Sequence, residues 1–367
     1  MVSRSVSQTL GGAGYLALIA QLSIYLAGLG AVYYSLIVRS ISNYQGKLFA
    51  YLSLLLLGFI AIFRGGVGTD TAEYERMVGI LRSPSDWYGV EPGFAVLAWL
   101  LGQLSASDVV VVRLLAVVFV GSLLVYLYKA DRDETFYLLA YFLPVSFYQY
   151  SMNALRIGLA SSLLLLAVQY FLRYRDRLGF AYAFFGCLFH YSLPFSVAYL
   201  CWVGRMLSPR AIFLFFGFGA ALAVFVLFFY GDYLLLRVLS YGDKESPSEL
   251  SGLSTVASIF VVILGVSQSS LTGSQRRLLG FSGLLFVVFF ALFARFTYAG
   301  LRFLDLLEVA FPLAVLLEHG RVGRALNWKL KLSMVVAGLI SAAAMLRGFL
   351  LSADKGSTPW LPFEWIF

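Results

Sequence analysis

Four stretches of this 367-residue chain carry side chains able to do chemistry. The first is Arg64-Gly65-Gly66-Val67-Gly68-Thr69-Asp70-Thr71-Ala72-Glu73-Tyr74, a glycine-rich turn leading into a predicted helix with Asp70 and Glu73 on one face. The second is Asn153-Ala154-Leu155-Arg156, and the third is His190 within His190-Tyr191-Ser192-Leu193-Pro194. The fourth runs from Arg295 to Glu308 and includes Tyr298, Arg302 and Asp305. A carboxylate or a neutral imidazole can take a proton from a hydroxyl, and a planar guanidinium holds anionic oxygens in a fork. Each stretch also has a plainer reading. Thr69 or Asp70 serves equally as a helix N-cap, Arg302 and Asp305 form a self-neutralising pair, and a lone histidine in an apolar segment is usually a hydrogen-bonded packing residue. No zinc, P-loop, dinucleotide or nucleophile-elbow motif accompanies them.

The elements that must position these residues are membrane helices. Hydrophobic residues make up 60% of the chain and charged ones 13%, against about 25% charged in an average soluble domain. Apolar runs of about 20 residues recur, and only helices can cross a bilayer with their backbone groups satisfied. The sequence therefore predicts an all-α polytopic membrane protein, a single integral membrane domain over 1–367. About ten spans are expected, at 14–38, 48–63, 108–128, 135–151, 154–172, 211–230, 254–272, 278–295, 301–318 and 331–351. The first run is too long for the core of a signal peptide. Cys187 and Cys201 lie in apolar sequence and read as packed thiols. No internal repeat is evident.

Loop charge orients the spans. The basic runs at 173–177 and 321–331 should both be cytoplasmic, which a single crossing by 178–204 would forbid. That segment is therefore expected to be a re-entrant hairpin with His190 near its tip. The same parity makes 93–104 a short re-entrant or interfacial helix on the outer face. Both termini come out external. The net charge of +8 resides largely in short loops, so topology explains it and nucleic acid is not an expected partner. On this map all four chemical stretches open to the outer face. Asp131-Arg132-Asp133 resembles the metal-binding pair of nucleotide-sugar transferases, but a short inner loop reads as a solvated charge cluster, and no metal site is expected.

The ordered set Arg64, Gly68-Thr69-Asp70, Tyr74, then Glu91-Pro92-Gly93-Phe94, then Asn153, Arg156 and Leu159-Ala160, then Leu188-Phe189-His190-Tyr191-Ser192, and late Arg302 and Pro312, resembles the EpsG-like, Wzy-type polysaccharide polymerases. Ile157 departs from the glutamine that more often follows the arginine in that family. The resemblance implies a metal-independent glycosyltransferase without a cofactor in the bacterial inner membrane. It would join polyprenyl-diphosphate-linked oligosaccharide repeat units, of O-antigen or exopolysaccharide type, on the periplasmic or external side. A chain-length regulator would be its natural partner. In that chemistry Arg64, Arg156, Arg295 and Arg302 are the forks available for the diphosphate. Asp70 and His190 are the candidate bases with Glu73 in reserve, and Tyr74, Asn153, Tyr191 and Tyr298 are candidate glycan contacts. A lipid-linked glycan flippase or transporter, or a related polyprenyl-dependent glycosyltransferase or ligase, would share most of these physics. The missing repeat weighs against a transporter.

Overall fold

The computed structural model describes residues 12–206, 252–351 and 358–366. The span expected at 211–230 lies outside them. The described chain is helical throughout: α1 (Gly12–Ile41), α2 (Asn43–Ile62), α3 (Thr71–Leu81), α4 (Pro92–Gly102), α5 (Asp108–Lys129), α6 (132–153), α7 (Leu155–Leu172), α8 (Asp176–Phe189), α9 (Leu193–Val203), α10 (Leu253–Ser267), α11 (Gly273–Phe293), α12 (Tyr298–Arg321) and α13 (Trp328–Leu351).

Among the described residues, six helices are long and apolar enough to cross a membrane, namely α1, α2, α5, α7, α11 and α13. Three other expected spans form helices that fall short for separate reasons. Helix α10 has 15 residues, about 22 Å of rise against a hydrocarbon layer of about 30 Å. Helix α12 carries Arg302, Asp305, Glu308 and Glu318. Helix α6 is interrupted by π turns at Leu138–Phe142 and Gln149–Asn153.

Local chemistry sets the helix ends. Ser42 caps α2 by accepting from the Gln45 N–H, and Ser107 caps α5 by accepting from that of Val110. Asp108 in the first turn of α5 and Lys129 in its last complement the helix dipole. Asp131 and Glu134 form a reciprocal capping box at the start of α6, and Thr272 with Gln275 does the same for α11.

The chain divides into two compact units, 1–193 with 341–367 and 194–340. In the first, α1 packs on α2, α2 on α5, α5 on α7 and α7 on α8. Basic residues gather at one end of this unit: Arg39 donates to the Asp131 carbonyl (3.3 Å), Lys47 to that of Tyr128 (3.0 Å) and Lys129 to the Tyr170 hydroxyl (3.0 Å). Arg173 grips Glu134 with both arms, at 2.8 and 2.9 Å, and Gln169 adds a third donor at 3.3 Å. These are the loops assigned to the cytoplasm by charge, and they meet at one end of the unit. In the second unit α10, α11 and α12 pack together. An aromatic cluster joins them to α9: Phe195 lies 5.3 Å from Phe290, which stacks on Phe303 at 5.0 Å.

Glu134 is 1% exposed, so removing its partner leaves a buried carboxylate uncompensated. Such breaks cost roughly 3–5 kcal/mol, and because Arg173 is 37% exposed the lower end applies. Arg173→Ala is expected to lower the unfolding midpoint in detergent accordingly, with Arg173→Lys intermediate. An unchanged midpoint would show that the pair contributes nothing to the fold.

Candidate active site

The glycine loop after α2 is built around Arg64. This side chain is 0% exposed, and its three nitrogens donate to the carbonyls of Ala61 (2.5 Å), Val67 (3.2 Å) and Met152 (3.0 Å). One guanidinium thus ties the last turn of α2, the loop and the end of α6 together. Burial, and then the like charge of Arg113, disfavour its charged form, and the carbonyl dipoles offset that cost. Arg113, from α5, donates to the carbonyls of Arg64 (3.0 Å) and Gly65 (2.7 Å) and reaches Glu75 at 3.5 Å. The loop's other edge is paired with residues near the C-terminus. Gly65 N–H donates to the Glu364 carbonyl (2.7 Å), Ile366 N–H to that of Phe63 (2.9 Å), and the Thr358 hydroxyl to that of Gly68 (2.6 Å). Gly68 has φ of 102°, and a Cβ there would lie 2.6 Å from the Met152 oxygen, so only glycine fits.

The loop delivers Asp70 to the start of α3. The Asn153 side-chain oxygen accepts from Asp70 N–H (2.7 Å) and the Thr69 hydroxyl (2.8 Å), capping that helix from across the unit. Asp70 is half-buried and its side chain makes no cap bond, whereas Glu73 is exposed and doubly bonded to Arg76 at 2.9 and 2.5 Å. Hydrogen bonding to Arg76 holds Glu73 below the usual carboxylate range, which makes it a poor proton acceptor. Three residues beyond Asn153, Arg156 N–H donates to the Tyr74 hydroxyl (3.4 Å), and the Arg156 guanidinium sits over the Tyr74 ring. It also bonds Glu91 at 2.6 Å while keeping 28% of its side chain exposed. Burial raises the Tyr74 phenol, which stays neutral.

His190 reaches the same end of the unit. The chain breaks between α8 and α9 at His190–Ser192, as the sequence predicts. Tyr191 donates to the Val90 carbonyl at 3.1 Å, next to Glu91. Gly93, at the start of α4, lies so close to Leu188 that a Cβ would come within 2.9 Å of its carbonyl. Ser192 backbone N–H donates to His190 Nδ1 (3.2 Å), and the Ser192 hydroxyl is 2.6 Å from the same nitrogen. A backbone N–H can only donate, so Nδ1 is an acceptor, and this bond network puts the neutral ring's proton on Nε2.

Three expected ligand contacts are thus turned toward the protein. Arg64 was expected to grip diphosphate, but its nitrogens are committed to main-chain carbonyls and it has no exposed surface. Tyr74 was expected to meet glycan, but it is buried against Phe94 with its hydroxyl on Arg156. Asn153 is used as a helix cap. Asp70, Arg156, His190 and Tyr191 are brought to one end of the first unit with surface to spare, Tyr191 being 62% exposed. Arg295, Tyr298 and Arg302 belong to the second unit, where Arg302 stacks on the Tyr298 ring at 5.2 Å and Arg295 is exposed. Sequence reasoning gave no role to Arg113 or to 358–366, and it used Glu91 only as part of a motif. A cation five residues inside an apolar run, and an acid ahead of Pro-Gly, were the available signals.

The EpsG family model matches residues 47–364. No curated protein and no solved structure matches the chain.

If Asn153 is a cap, Asn153→Ala should lower the unfolding free energy by about 1 kcal/mol with no substrate present. A variant as stable as the parent that loses only substrate affinity would restore the glycan-binding role. Gly68→Ala, strained in both backbone and contact, should cost more, roughly 1–3 kcal/mol, measured by the same unfolding experiment.

Proposed function

The chain belongs to the EpsG family of Wzy-like polysaccharide polymerases, and on that footing we propose that it joins polyprenyl-diphosphate-linked oligosaccharide repeat units by glycosyl transfer at the periplasmic face of a bacterial inner membrane. The observation that carries this reading is the arrangement at the glycine-loop end of the first unit. A partly exposed arginine, Arg156, sits there on a buried carboxylate, Glu91, with Asp70 and the His190 turn anchored to the same elements.

In the reaction, the bond between the anomeric carbon of the growing glycan and the diphosphate oxygen breaks. A bond forms from that carbon to a hydroxyl oxygen of the incoming unit. The hydroxyl proton passes to Asp70, and polyprenyl diphosphate leaves carrying the negative charge. Arg156 meets that charge, and a diphosphate outcompetes one carboxylate for a guanidinium because it offers more oxygens and more charge. His190 contributes Nε2–H as a hydrogen-bond donor to the leaving group or acceptor sugar, since its other nitrogen is taken by Ser192. Tyr191 offers an open ring for stacking on sugar. This divides the two base candidates read from the sequence: Asp70 takes the proton and His190 gives a hydrogen bond.

The purified protein in nanodiscs, given lipid-linked repeat units, should yield a ladder of products on a gel. Arg156→Lys is expected to lose more than about tenfold in rate, because an ammonium cannot form the fork, and Asp70→Asn to abolish polymer. His190→Gln, whose amide can place a donor near the Nε2 position, should keep more activity than His190→Ala. Equal loss in both would return His190 to the role of base. Arg302→Lys tests the fork proposed in the second unit.

The 178–204 segment is proposed to return to its starting side, giving both its ends to the cytoplasm. With Cys187 and Cys201 replaced by serine, cysteines introduced at positions 175 and 206 are expected to label from the same side. Labelling from opposite sides would remove the hairpin and the charge argument behind it.

A further inference from the structure

The second unit contains a groove unrelated to the residues discussed above. It has a volume of about 260 Å³ and lies between α10 and α13. Leu264, Leu332 and Val336 form an apolar wall, and Gln268, Trp328 and Lys329 stand at one end. Helix α13 is long and apolar enough to cross a membrane, which would set this wall at acyl-chain depth with Trp328 and Lys329, at its first turn, at the interface.

The polar end is strongly basic. Segments 268–277 and 319–331 contain Arg276, Arg277, Arg321, Arg324, Lys329 and Lys331 and no Asp or Glu. Three side chains converge on the last carbonyls of α10 and the turn after it: Arg276 on Ser267 (2.9 Å), Asn327 on Gln268 (2.7 Å) and Arg324 on Ser270. Capping the negative end of α10 accounts for those bonds. It does not account for Lys329, which lines the groove beside the exposed Trp328 ring with its ammonium 5.9 Å from the ring centroid. The nearest acid in sequence, Glu318, is buried and bonded to Gln275 at 2.9 Å. The groove therefore pairs an apolar slot with a mouth lined by Lys329, and the two segments that meet there contain no Asp or Glu.

We propose that this groove binds an anionic glycerophospholipid, with one acyl chain along Leu264, Leu332 and Val336 and the headgroup phosphate at Lys329. A zwitterionic lipid fits the slot equally but gains little from the mouth, so charge is what selects the occupant.

The test uses the full-length protein, delipidated in non-ionic detergent and exposed to equimolar phosphatidylglycerol and phosphatidylcholine of identical chains, with bound lipid counted by native mass spectrometry. Phosphatidylglycerol should be retained in preference by roughly fivefold, the discrimination one basic residue supplies near a lipid surface. Lys329→Gln should erase that preference without loss of total lipid. Val336→Trp, which fills the slot, should remove the retained lipid of both kinds. Equal retention of the two lipids by the parent, or a preference that survives Lys329→Gln, would overturn the proposal. Displacement of phosphatidylglycerol by soluble glycerol phosphate would reduce the site to an anion site, and displacement by polyprenyl phosphate at tenfold lower concentration would assign it to the carrier. Either result overturns it as stated.

Discussion

The first unit depends on a cation with nowhere to go. A guanidinium without exposed surface is among the costliest groups a protein can hold unless every donor is matched. Arg64 is matched by carbonyls from three separate places in the chain: the end of α2, its own loop and the end of α6. Moving any of the three elements strands part of a charge. The loop is therefore fixed by an electrostatic requirement rather than by packing alone, and it can remain glycine-rich without being loose. Arg113 repeats the device one layer out by holding the carbonyls of Arg64 and Gly65.

Position follows from that anchor by short covalent steps. Met152 accepts from Arg64, Asn153 caps α3 and thereby places Asp70, and Arg156 begins the next helix beside Tyr74 and Glu91. The polar residues nearest the anchor are consumed in building it, and those a few residues farther along keep surface. This gradient explains why residues drawn from the same motifs have different fates. Arg64 and Arg156 look alike in sequence as cations at the mouths of spans, yet one is sealed and the other is open on one side.

Much of the fold is legible in the sequence because membrane helices are set by local composition. The boundaries of α5 and α7, the C-terminal ends of α2 and α13, the break at His190 and the gathering of basic loops at one end all follow from apolar run length, turn residues and loop charge, whereas α2 starts five residues before its apolar run was expected to. What the sequence hides are partnerships whose acceptors are main-chain carbonyls, since any residue supplies one. Neither the burial of Arg64 nor the pairing of 358–366 with the glycine loop has a signature that distinguishes it from an exposed cation or an ordinary tail. Glu91 was visible as a motif letter and invisible as the partner of an arginine 65 positions away.

Two ion pairs at opposite ends of the first unit show how geometry separates structure from chemistry. Arg173 and Glu134 meet through two bonds, and the same two guanidinium nitrogens also donate to the carbonyls of Gln169 and Lys129, so although 37% of that side chain is exposed its terminal donors are already committed. Arg156 and Glu91 meet through one bond of 2.6 Å, and the guanidinium keeps 28% of its side chain open. A closed bidentate pair gains from staying as it is. A monodentate pair at an open edge leaves donors that a multiply charged ligand can take, while the carboxylate keeps the cation aimed and partly neutralised until that ligand arrives. Of the two pairs, only the one beside Asp70 and the His190 turn has that property, which is why the proposed chemistry is placed at the glycine-loop end.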